Sequence, residues 1–168
     1  MRRLAWTVAA LLAVPMAHAG TAEVKWLEDF DKYSDVHPAD NMKSRFHERI
    51  KTDLTAHFNE LAASLPEGYV WKIDVKDIDL AGDAQLGRVG QTGWIRVVDD
   101  IYFPKVSFSY DIVNRDGKVV ESGTADVKDM SFLDRIAGTR TQRSSFLYYE
   151  RDMLDQWFRT TLADKKFG

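Results

Sequence analysis

Carboxylates gather at Asp74, Asp77, Asp79 and Asp83, with Asp99 and Asp100 further along the chain. Alternate residues of a strand share a face, so Asp77 and Asp79 would project together. Several carboxylate oxygens on one side are what a hard cation such as calcium prefers. The calcium-loop pattern fails, however, because the position that should carry its bidentate glutamate, twelfth from Asp77, is Arg88. Aspartates at strand ends and turns, facing water, are the plainer account. A second group is basic: Arg135, Arg140 and Arg143, with Arg151 beyond. Forked guanidinium donors suit an anion such as a lipid headgroup or a polymer carboxylate. Pairing with Asp134, Asp152 and Asp155 is the alternative. The candidate ligand patch is therefore Asp77, Asp79, Asp83, Arg135, Arg140 and Arg143.

Other chemistry finds less support. His47 is followed by Glu48, but the zinc-protease pattern needs a second histidine where Lys51 stands. His47 and His57 lie ten residues apart, on different faces of a helix, and read as surface or half-buried. No G-x-S-x-G elbow and no G-x-x-x-x-G-K-[ST] loop occurs. Gly87, Gly90 and Gly93 repeat as G-x-x-G-x-x-G, which matches neither phosphate fingerprint and reads as a loop. The absence of cysteine excludes disulfides, thiol catalysis, cysteine-ligated metal and a lipidated lipoprotein cysteine. No catalytic residue and no cofactor follows from the sequence.

Residues 1–19 read as a signal peptide. Arg2 and Arg3 precede the apolar run Leu4–Met16, which is too short to span a bilayer, and Ala17-His18-Ala19 fits a cleavage site. Residues 20–168 are then a single domain in the periplasm, with no membrane span after cleavage. Loss of the two arginines would take the formal charge from −3 to −5. A mildly acidic domain is poorly suited to nucleic acid.

The elements that would position these groups are legible from periodicity. Val106, Phe108, Tyr110 and Ile112 alternate with Ser107, Ser109 and Asp111, and Asn114–Gly117 supplies a turn into Val119 and Val120. This hairpin, within Ile101–Val127, needs cover on its apolar face. Met42, Phe46, Ile50, Leu54, Phe58, Leu61 and Leu65 predict a helix over 41–65, capped by Asp40 or Asn41 and stopped by Pro66-Glu67-Gly68. Phe146, Tyr149, Met153, Trp157 and Leu162 predict a second over about 145–163, capped by Ser144 or Ser145. Tyr69, Trp71, Ile73 and Val75 predict a strand over 69–80. Ile78 and Leu80 have the opposite parity, so the pattern slips near Lys76-Asp77, as either a bulge or the end of the strand would make it. Short strands are expected near Val24 and at 94–98. Residues 31–41 read as a polar connector and 81–93 as a loop. Met130, Phe132, Leu133 and Ile136 are expected to dock as a helical turn. Together these predict an α+β fold: a mostly antiparallel sheet of four to five strands with two amphipathic helices packed on one face.

Asp77–Gly82, Ile95–Val98, the hairpin, Asp129–Leu133 and Tyr149–Phe158 occur in that order. In these blocks the chain resembles a family of exported proteins of Gram-negative bacteria, domain-of-unknown-function family 3016, over nearly all of residues 20–168. The resemblance implies an envelope location and one small domain, and carries no activity, cofactor or catalytic residue. The expected role is a non-enzymatic binding module for an envelope protein or an anionic ligand. The alternative is a small metal-dependent or hydrolytic periplasmic enzyme using the Asp77–Asp83 loop.

Overall fold

The structure, a computed structural model, describes residues 19–38, 43–86, 94–134, 145–165 and 167. The expected leader, the helix caps Asp40, Asn41 and Ser144, and Ile136 lie outside the described residues.

The hairpin forms as its alternation predicts. β5 (Lys105–Val113) pairs antiparallel with β6 (Val119–Lys128). The strand starts after Pro104, whose missing N–H is then no loss to the ladder. Asn114 closes the turn by accepting from the N–H groups of Asp116 and Lys118 at 3.0 Å each. β2 (Val70–Asp79) pairs antiparallel with β5, and its register shifts between Val75 and Asp77. That bulge is the slip read from the sequence, and it turns both Val75 and Ile78 into the core.

β1 (Thr21–Lys25) completes a four-stranded sheet in the order β1-β2-β5-β6. It runs parallel to β2, so the sheet is mixed rather than built only of antiparallel neighbours. The reason is α1 (Lys43–Ala62), whose 20 residues stand between the two strands. A crossover of that length is what parallel neighbours require. A second, two-stranded sheet pairs β3 (Asp83–Leu86) with β4 (Trp94–Val97). The reading of 81–93 as loop is thus corrected at 83–86. This four-residue strand pairs with one partner and lacks an apolar period to announce it.

α1 and α2 (Tyr148–Thr161) cover the same face of the main sheet. Phe58 of α1 meets Trp71 and Phe108 edge-on, and Trp157 of α2 lies over Trp71, Phe108 and Tyr110. The buried stripe of α2 is centred on Glu150, Met153, Leu154 and Phe158 rather than on Tyr149 and Trp157, which sit at its margin. On α1, His47 and His57 are both buried, against the expectation of half-exposed rings. Each has found a carbonyl: Nε2 of His47 donates to Val36 O and Nε2 of His57 to Arg151 O, both at 3.2 Å. Buried imidazoles persist only with such partners. The segment 31–38 is less of a loop than its polarity suggests. Tyr33 and Val36 are core residues, and Asp35 forms a parallel bridge to Asp79. After β6, Phe132 docks against Tyr149 at 4.9 Å, while Met130 and Leu133 stay exposed, which corrects the expected apolar turn.

Gly123 of β6 lies opposite Tyr110 of β5, on the helix-covered face. A Cβ there would stand 2.8–2.9 Å from three atoms of the Tyr110 ring and hydroxyl. Tyr110 is held by Trp157 on its other side, so it has little room to yield. Gly123→Ala is expected to cost about 1–3 kcal/mol by overpacking. Urea unfolding measures it, and an unchanged midpoint would show that the ring moves freely.

Candidate functional site

Of the predicted acidic residues, Asp77 and Asp79 lie on β2. Asp77 accepts from Ser34 N–H at 2.9 Å and from its hydroxyl at 2.7 Å, tying the 31–38 segment to the sheet. Asp79 faces Asp35 and Asp77 across that junction. Its burial, and then those two charges, push its carboxyl above the usual value. Asp83 stands apart on β3, accepting from Gln85 at 3.4 Å. Among the described residues, no three His, Asp or Glu side chains come together as metal ligands. Arg135, Arg140 and Arg143 lie outside the described residues.

A different constellation holds the two sheets together. Arg96 projects from β4 and clamps Asp35 with two parallel bonds, Nη1 to Oδ2 at 3.0 Å and Nη2 to Oδ1 at 3.1 Å. The same fork donates to the carbonyls of Leu80, Ala81 and Gly82, the last at 2.6 Å, and Nη2 reaches His37 O at 2.9 Å. Only the Nε–H has no acceptor, and it is sealed from solvent. Burial works to raise the Asp35 carboxyl, but the Arg96 and His37 donors outweigh it and hold the group below the ordinary carboxylate value.

Beside this fork, Glu150 enters from the first turn of α2, 3 % exposed. Its Oε1 accepts from Ala81 N–H at 2.8 Å. Burial pushes its carboxyl up, and the Ala81 and Glu150 backbone N–H groups and the Arg96 charge offset only part of that. The helix begins unusually. Leu147 stands at the N-cap position, the place expected for a serine, with φ 54° and no side-chain capping bond of its own. A left-handed leucine is a strained arrangement, of order 1–3 kcal/mol. It sets the line of Phe146, Tyr148 and Tyr149 around one opening.

That opening is a cleft of about 320 Å³ lined by Phe46, Leu80, Val98, Phe146, Tyr148 and Tyr149, with Arg96 and Glu150 as its charged members. Apolar walls with few convergent polar groups are the usual make-up of a small-molecule site. The larger concavity, about 750 Å³, is the wet side of the main sheet. Its Glu23, Lys25, Lys72, Asp74, Ser109, Asp111 and Thr124 side chains are what an uncovered sheet presents to water. His57 is no free base either: Nε2 is engaged with Arg151 O, and Nδ1 accepts from Arg151 Nε at 3.3 Å.

The chain matches the family described as protein of unknown function (DUF3016) over residues 20–160, and it belongs to that family. No curated protein and no solved structure matches it. No helix among the described residues is long and apolar enough to cross a membrane.

Sequence reasoning missed Asp35, Arg96 and Glu150. A signal did exist for Glu150: it falls on the 146–150–153–157 apolar period of α2, where an acid has no reason to be unless it meets a partner. Arg96 sits between Ile95 and Val97 in a short strand and gave no comparable sign.

The raised Glu150 carboxyl sets a pH dependence. Folded, the group holds its proton to higher pH than in the unfolded chain. Its contribution to stability is therefore complete below the ordinary glutamate range and is lost as pH rises through the raised value. Glu150→Gln keeps an oxygen for Ala81 N–H and cannot ionise. The variant is expected to match the parent near pH 4 and to be the more stable of the two near pH 8, in paired urea titrations. A parent that gains on the variant with rising pH would contradict the assignment.

Proposed function

We propose that this protein is a periplasmic binding module of the bacterial envelope that performs no catalysis, and that the cleft at the start of α2 is where it binds. Export is supported by the basic start, apolar run and small-x-small site of residues 1–19. Binding is supported above all by the cleft itself. It is apolar, it is of small-ligand size, and it is floored by a buried carboxylate whose one bond to another residue is from Ala81 N–H. Of the described imidazoles, His47 and His57 are turned to backbone carbonyls elsewhere, and His37 Nδ1 lies 3.2 Å from the Asp35 carboxylate that Arg96 clamps. Arg96, with its η nitrogens closed on Asp35 and four carbonyls, acts as scaffold for the cleft wall.

Val98 lines the mouth and is 42 % exposed, so Val98→Trp can plug the cleft without entering the core. Native mass spectrometry of the protein recovered from periplasm is expected to show a small molecule on the parent and none on the plugged variant. Equal loading of both forms would place binding elsewhere. Turnover of that molecule on incubation would overturn the non-catalytic reading.

A further inference from the structure

The two charged groups that reach the cleft are unequally matched. Arg96 is already matched by Asp35, and its η donors are directed at that carboxylate and at the carbonyls of His37, Leu80, Ala81 and Gly82. Its remaining Nε–H is out of contact with solvent, so Arg96 offers nothing to an incoming anion. Glu150 is in the opposite state. Apart from its own backbone N–H, it accepts one bond, Ala81 N–H to Oε1, and among the described residues no side chain donates to it. It also fills the anion-favouring position in the first turn of α2, so the helix end calls for no second anion. Among the described residues, two further cations near the cleft are engaged elsewhere. Arg151 points to Glu60 and His57, and Arg49 lies 4.0 Å from the Phe146 centroid with Asp53 behind it.

From this geometry we propose that the cleft takes an organic amine: a protonated nitrogen against Glu150 Oε2, with an apolar body among Phe46, Phe146, Val98 and Tyr148. The inference rests on the cleft being the binding site. An ammonium would place a direct counter-charge against a buried carboxylate that the Arg96 charge offsets only in part. Aromatic faces around it attract the same charge, as Phe146 already does for Arg49. The Glu150 carboxyl, raised by burial, then sets the pH above which binding is strong.

The test uses three probes of one shape, 2-phenylethylamine, 2-phenylethanol and phenylacetate, titrated into the purified protein by calorimetry. The amine is expected to bind at least about tenfold more tightly than the alcohol near pH 8, and to lose that lead near pH 4 as Glu150 is protonated. Glu150→Gln is expected to bring amine and alcohol within about twofold, with the fold intact by circular dichroism. Tighter binding of phenylacetate or the alcohol, or an amine preference that survives Glu150→Gln, overturns the amine assignment and leaves the cleft standing. If Val98→Trp binds all three probes as the parent does, or if the parent binds none of them, the cleft reading fails as well.

Discussion

Arg96→Met is expected to destabilise the protein by about 3–5 kcal/mol, because it leaves the Asp35 carboxylate as a largely buried charge with its main partner gone. Asp35 and Arg96 are each about one-fifth exposed, so solvent cannot rescue the orphaned charge in full. The variant also strips the carbonyls of Leu80, Ala81, Gly82 and His37 of a shared donor. The double variant Arg96→Met with Asp35→Leu removes both charges and is expected to recover part of the loss. It should not recover all, since those carbonyls stay under-satisfied. Urea unfolding of the three proteins decides it. A single-variant loss below about 1 kcal/mol would mean that the fork is an ordinary surface pair.

The contrast between the fork and the helices shows what the sequence could disclose. α1, β2 and the hairpin were legible because each buries one continuous face, and a buried face leaves a period of 3.6 or 2 in the order of residues. The bulge after Val75 was legible for the same reason: Trp71, Ile73 and Val75 share one parity, and Ile78 and Leu80 have the other. β3 was not. It contributes four residues to a two-stranded sheet and pairs with β4, whose Arg96 reaches Asp35 across 61 residues with no local trace. The parallel β1–β2 pairing was hidden too, since alternation along a strand says nothing of the direction of its neighbour. For the cleft, composition pointed to the Asp77–Asp83 cluster because acids close in sequence are conspicuous. The structure shows Asp77 as a tie to Ser34, and it brings a solitary glutamate inside an apolar stripe to the wall of the cleft.

The largest single loss is expected at Trp71. Its side chain is fully buried on β2, where both helices converge. Phe58 of α1 stands 5.5 Å from it edge-on, Phe158 of α2 at 5.3 Å, and Trp157 stacks at 6.1 Å with an interplanar angle of 14°. Phe108 and Tyr110 of β5 flank it at 6.3 Å each. Trp71→Ala would open a cavity bounded by three elements that cannot close together, and is expected to cost at least about 3–5 kcal/mol. For a domain with total stability of about 5–15 kcal/mol, that approaches or exceeds what holds it folded. Trp71→Phe should be far milder, about 1–2 kcal/mol, because a ring still fills most of the site. It also removes the indole N–H, which is buried with no acceptor and contributes nothing favourable where it lies. Denaturant unfolding orders the variants, and near-ultraviolet circular dichroism reports the stacked Trp71–Trp157 pair independently of stability. A Trp71→Ala protein as stable as its parent would mean that α1 and α2 are not joined through this ring. The two-layer arrangement that holds Glu150 against Ala81 would then need another support.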